Sequence, residues 1–108
     1  MSKLTAGREG DHVIAEKLGW QGFCKYVSAG EFYAEPPGHP NSKVRVPYYT
    51  TSVDAALTLV VGEYIEIIRA VDVTRAILYV NGRIYSANGD TPALAICEAW
   101  LGWQERNP

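Results

Sequence analysis

A chain of 108 residues, 47% apolar and 20% charged, holds enough core-forming side chains for one domain and leaves no room for two. Ten Lys and Arg oppose twelve Asp and Glu, a formal net charge of −2 with no run of either sign, which argues against a binder that grips phosphates with a basic stripe; no nucleic acid partner is expected. The apolar runs are too short to cross a bilayer and Met1 to Gly10 holds no apolar leader segment, so neither membrane insertion nor export is expected.

The first predicted element is a helix over Asp11 to Leu18 (DHVIAEKL). Val13, Ile14, Lys17 and Leu18 fall on one stripe, with the Lys stem lying along it. Asp11 suits the positive end of the helix dipole, and Gly19 suits a left-handed cap. Trp20 either folds back on the helix or opens the next segment. Gly22 to Ala34 carries Phe23, Tyr26, Phe32 and Tyr33, and Ser28-Ala29-Gly30 is a turn signal between two short apolar runs. This predicts a hairpin with strands near 23–27 and 31–34. Glu35 to Pro47 (EPPGHPNSKVRVP) holds four prolines, each fixing φ and removing a donor. A long loop is expected there, without helix or central strand.

Thr51-Ser52-Val53-Asp54 predicts a helix start, with Thr51 capping the amide of Asp54 and Asp54 reaching back. That helix is expected to end near Val61, before Gly62. Tyr64 to Ala70 fits helical spacing, but Gly62 and the β-branched content favour a strand. Asn81-Gly82 supplies the two positive φ angles of a type I′ turn, which predicts a hairpin over 76–87. The two-residue loop sets Val80 against Arg83, Leu78 against Tyr85 and Ile77 against Ser86. Ile77, Tyr79 and Ile84 then share one face, and Leu78, Val80 and Tyr85 the other. Both faces are apolar, so cover on both sides is expected. Thr91-Pro92 opens a last helix to about Trp103, with Thr91 as cap and Pro92 at the first helical position. Glu98 is its one charge, so burial on more than one side is expected. The elements together predict an α+β domain: a small antiparallel or mixed sheet of four to five strands with helices packed on both faces, an α/β/α sandwich.

Three stretches resemble the small bacteriophage proteins of the phage ABA sandwich family: GREGDHVIAEKLGW (7–20), VPYYTTSVDAA (46–56) and DTPALAICEAWL (90–101). In that family a helix ends in a Gly-Trp pair, a middle helix opens on a Tyr-Ser-Thr-Asp-like cap, and the last helix carries a Thr-Ala/Pro-Ala/Pro-Leu-Ala-Ile-Cys run. The match follows the same order over most of the chain. It departs in the extra residue before Asp54 and in Glu98 and Trp100, which replace a basic and a small residue. The resemblance implies an α/β/α fold and a phage or prophage origin, with action in the host cytoplasm, and it implies no reaction.

Catalytic equipment is sparse. His12 sits beside Asp11 in the first helix and His39 in the Pro loop, and no nucleophile elbow, phosphate-cradling loop or dinucleotide fingerprint is present. Cys24 and Cys97 match no metal spacing and read as reduced core thiols. Glu35 and His39 are two ligands where a site needs more. No enzyme activity, metal or cofactor is expected.

Tyr48 and Tyr49 stand out beside Lys43 and Arg45, at the junction of the Pro loop and the middle helix. Rings for stacking, cations for phosphate, and the hydroxyls and amides of Thr50, Thr51 and Ser52 form a candidate site for a small nucleotide-like anion. The bland alternative is that both tyrosines anchor the loop to the core. Trp100 and Trp103, on the nearly uncharged last helix, are the candidate interface residues of a homo-oligomer. The sequence thus supports a non-enzymatic binding protein that sequesters a small nucleotide signal or blocks a host defence protein. The alternative is a homo-oligomeric accessory module without a small-molecule ligand.

Overall fold

In the computed structural model, which describes residues 4–26 and 31–106, the chain is α+β with three helices and two three-stranded antiparallel sheets. The strands therefore form two separate sheets and not one sheet of four to five. Sheet one has the order β1 (Gln21–Tyr26), β2 (Glu31–Glu35), β3 (Val44–Arg45). Sheet two has the order β4 (Tyr64–Arg69), β5 (Thr74–Val80), β6 (Arg83–Gly89).

The first helix, α1, spans Arg8–Leu18 and starts three residues earlier than the periodicity predicts. Gly7 stands at its N-cap, and Gly19 closes it in the left-handed conformation as expected. Its buried side is Gly10, Asp11, Ile14 and Ala15, so the stripe is shifted from the predicted one. Lys17 and Val13 face outward. The shift has a polar cause: Asp11 is drawn into the interior by partners from another segment, and it carries the helix round with it.

β1 and β2 form the predicted hairpin, and its Ser28-Ala29-Gly30 turn lies outside the described residues. The Pro segment is not wholly strandless. Its end, Val44–Arg45, adds a two-residue edge strand to β2, pairing Arg45 with Tyr33 and Val44 with Ala34. Edge position suits a segment that Pro flanks on both sides. The middle helix, α2, is only Val53–Leu57, continued by a 3₁₀ turn over Thr58–Val60. Ser52 caps it, not Thr51: the Ser52 hydroxyl accepts the Ala55 amide at 3.3 Å.

Tyr64–Arg69 is a strand, as the β-branched content favours. The 76–87 hairpin stands in its predicted register, with Asn81 and Gly82 at φ 51° and 79°. The last helix, α3, runs Pro92–Arg106, three residues beyond expectation, and the Thr91 hydroxyl accepts the Leu94 amide at 3.3 Å. α3 lies across β5 and β6. Thr74, Ala76, Leu78 and Val80 of β5 alternate inward beneath it. At Gly89 the sheet meets the helix so closely that a Cβ would stand 2.6 Å from the Ala95 amide nitrogen, and only glycine allows that approach. Ile96, Cys97, Ala99, Trp100 and Leu101 complete the core, so α3 is buried on more than one side.

The opposite face of sheet two differs from expectation. No helix of the described residues is stacked on it, and Tyr64, Ile68 and Ile84 are 63%, 51% and 60% exposed there.

Candidate functional site

The residues that the sequence marks for an anion do not converge on an open cleft. Lys43 reaches back across sheet one, donating to the Gly22 carbonyl at 2.5 Å and pairing with Glu35 at 3.4 Å. Arg45 lies on β3, exposed, opposite Tyr33. Tyr48 stacks its ring under the Arg8 guanidinium, 4.0 Å from the centroid, so its face is already occupied by a cation. Tyr49 is buried, and its carbonyl accepts the Cys97 thiol at 3.1 Å. Thr51 is exposed, and Ser52 is spent on its cap. α2 has five residues, too few to offer a helix-end anion site, and Ser52 already takes one of its amides.

In place of an anion site, the structure builds a latch. Asp11 is fully buried, and its Oδ1 accepts from the Thr50 amide at 2.8 Å and the Thr50 hydroxyl at 2.7 Å. Its Oδ2 pairs with Arg8 at 2.6 Å, and Arg8 also donates to the Val46 carbonyl at 2.7 Å. The Gly7 amide donates to the Thr50 hydroxyl at 2.9 Å. A carboxylate with no exposed surface is thus paired with a guanidinium that is 16% exposed, each with several hydrogen bonds, which is the condition for such a pair to hold. The latch ties the N-terminus of α1 to the 46–50 segment. Sequence reading missed it, although Arg8 and Asp11 stand at the i,i+3 spacing that places two side chains on one helix face.

Two clefts flank this framework. One, of about 530 Å³, is lined by Leu4, Val73, Asn88, Asp90, Leu94 and Glu98 among others. The other, of about 250 Å³, lies between Gly19, Gln21, Glu35 and the Pro36–Pro40 turn. Carboxylates line both, and neither lining includes a Lys or Arg.

Among the described residues, the titratable side chains give no activated group. Burial pushes the Cys97 thiol up to about 12, with the Asp11 and Glu98 carboxylates adding to the shift. Burial also raises Tyr49, partly offset by a hydrogen bond from Trp20. Tyr79 is raised because its hydroxyl donates to Glu66 at 2.8 Å. Alkylation with iodoacetamide at pH 8 is therefore expected to modify Cys24 in the folded protein and leave Cys97 untouched until denaturant is added. Equal labelling of both would overturn this. The Cys97 proton is held more tightly in the fold than in the unfolded chain. Its contribution to stability is complete below the ordinary thiol pKa and is lost as pH rises toward 12. His12 is half-buried, its ring 4.1 Å from Phe23 and 3.8 Å from Glu16, and His39 is exposed in the Pro turn. No group of three metal-ligating side chains comes together among the described residues.

Of the two expected interface residues, Trp100 is 3% exposed and enclosed by its own chain, while Trp103 is half-buried against the core. A ring so enclosed presents no anchor to a partner in this conformation. The exposed apolar surface lies elsewhere. The registers of β4, β5 and β6 set Tyr64, Tyr79 and Ile84 in one row of the outer face, Glu66, Ile77 and Ser86 in the next, and Ile68, Arg75 and Asn88 in the third. Tyr64 and Tyr79 are in ring contact at 5.3 Å, and Arg75 donates to Asn88 at 3.2 Å. One end of this face is thus apolar, the middle row sets Ile77 between Glu66 and Ser86, and the other end is polar apart from Ile68. Every large apolar side chain more than half exposed among the described residues belongs to this face or to the turns flanking β4: Val61, Tyr64, Ile68, Val71 and Ile84.

Compared with known proteins, the chain matches no family model, no curated protein and no solved structure.

Proposed function

We propose that the protein is a non-enzymatic interaction module that acts by protein–protein contact over the outer face of the β4–β5–β6 sheet. The observation that carries this reading is the concentration of exposed apolar side chains on one sheet face and its edge, on a chain of balanced charge. Neither cleft lining brings a Lys or Arg to a nucleotide phosphate, and the cation and ring nearest the expected anion site, Lys43 and Tyr48, are already engaged. Of the two actions expected of a phage protein in its host, blocking a host defence protein therefore has more support than sequestering a nucleotide. The resemblance to small phage proteins supports action inside the host cytoplasm.

Native mass spectrometry of the protein purified from a bacterial host tests this, run beside the variant Ile84→Asp. Ile84 is 60% exposed, so the variant is expected to fold as the parent does, checked by circular dichroism. The expected result is a protein complex formed by the parent and lost by the variant, with no small molecule released in stoichiometric amount. A stoichiometric nucleotide, or a complex with a host protein that survives Ile84→Asp unchanged, would overturn the proposal.

A further inference from the structure

The partner best fitted to this sheet is a second copy of the chain, and the inference rests on the reading above that the β4–β5–β6 sheet is the binding element. β4 is an edge strand, with β5 as its one strand neighbour among the described residues. Its sequence, YIEIIR, holds no Pro, and its register with β5 runs from Tyr64 to Arg69 without a bulge. Such an edge lacks two of the usual devices that prevent pairing, a proline and a bulge, and its charges are Glu66 and Arg69.

The hairpin fixes which backbone groups are open. A two-residue turn is closed by a pair that exchanges both hydrogen bonds, here Val80 and Arg83. Alternation then turns the N–H and C=O of Tyr79, Ile77 and Arg75 toward β4. Their partners Tyr64, Glu66 and Ile68 are satisfied by them. Ile65, Ile67 and Arg69 consequently direct their backbone donors and acceptors at the open edge.

We infer that two copies of the chain pair β4 against β4, antiparallel, about a two-fold axis through Glu66, to make one continuous six-stranded sheet. That axis sets Ile65 against Ile67 of the second copy, both with outward backbone groups, so the ladder bonds form. It sets Tyr64 against Ile68 on the outer face, Glu63 against Arg69, and, beyond the strand ends, Val61 against Val71. Moving the axis one residue toward either end loses this match. Through Ile65 it puts Glu63 against Ile67, and through Ile67 it puts Ile65 against Arg69. Val61, Tyr64, Ile67, Ile68 and Val71 are all exposed along this edge, and the pairing would cover part of that apolar surface on both faces of the sheet. One contact is unfavourable: the two Glu66 side chains face each other at the axis. Each is turned to its own Tyr79 hydroxyl at 2.8 Å, which offsets part of the repulsion.

Sedimentation equilibrium of the intact chain and its variants tests the pairing. The parent is expected to dimerise. Glu63→Arg and Arg69→Glu should each weaken the dimer about tenfold, since the pair occurs twice, and the double variant should restore it. Glu66→Gln should tighten it. Ile67→Pro should abolish the dimer while keeping the monomer's circular dichroism, because the amide it removes faces outward. A strict monomer at millimolar concentration overturns the inference, as does a dimer indifferent to all four substitutions. Ile84 lies on β6, away from this edge, so a failure of the face reading on Ile84→Asp leaves the sedimentation result standing on its own.

Discussion

Asp11→Ala is expected to destabilise the fold by about 3–5 kcal/mol, because it strips the partly buried Arg8 of its counter-charge and leaves the buried Thr50 amide without its acceptor, while the Thr50 hydroxyl keeps the Gly7 carbonyl at 3.0 Å. The carboxylate has no exposed surface, so water does not replace it. Arg8 keeps its bond to the Val46 carbonyl, but a neutral acceptor offsets only part of the cost of a partly buried guanidinium. Asp11→Asn should lose less, since an amide oxygen still accepts from Thr50 while the ion pair is gone. Urea unfolding at pH 7 gives the comparison. A loss under about 1 kcal/mol for Asp11→Ala would show that the latch contributes nothing beyond an ordinary surface pair.

Trp100→Ala is expected to cost a similar 3–5 kcal/mol, the usual range for removing a large ring from a core. The effect should fall on stability and not on association, since the ring is enclosed by its own chain. Trp103→Ala should cost less, because that ring is only half-buried. Thermal unfolding together with sedimentation separates the two effects. A Trp100→Ala variant that melts like the parent but no longer self-associates would return the interface to α3.

Local signals in the sequence carried most of the secondary structure. Asn81-Gly82 sets the turn, the register and both faces of the 76–87 hairpin, because positive φ at two successive residues admits few alternatives. Thr91-Pro92 marks the start of α3 for a similarly local reason. What was illegible depended on partners distant in the chain. Asp11 reads as a helix-dipole residue until Thr50, thirty-nine positions away, is brought to it. Tyr48 reads as a stacking platform until Arg8 is found on its face. The grouping of strands into two sheets was also hidden, since nothing in β3 announces pairing and its two residues join β2 only once the Pro segment has turned. The apolar character of both faces of sheet two was legible, but the step from apolar to covered was not.

The latch has a consequence for how the chain tolerates change in length. Asp11 and Thr50 close a ring that contains both long strands of sheet one and the Pro36–Pro40 turn. The entropy of closing such a ring grows only with the logarithm of its size, so ten residues added at the turn would raise it by about 0.2 kcal/mol. His39, Pro40 and Asn41 are exposed at the tip and take no part in the latch. That tip can accept an insertion, or a grafted epitope, with the two ends of the ring still held together by the same carboxylate.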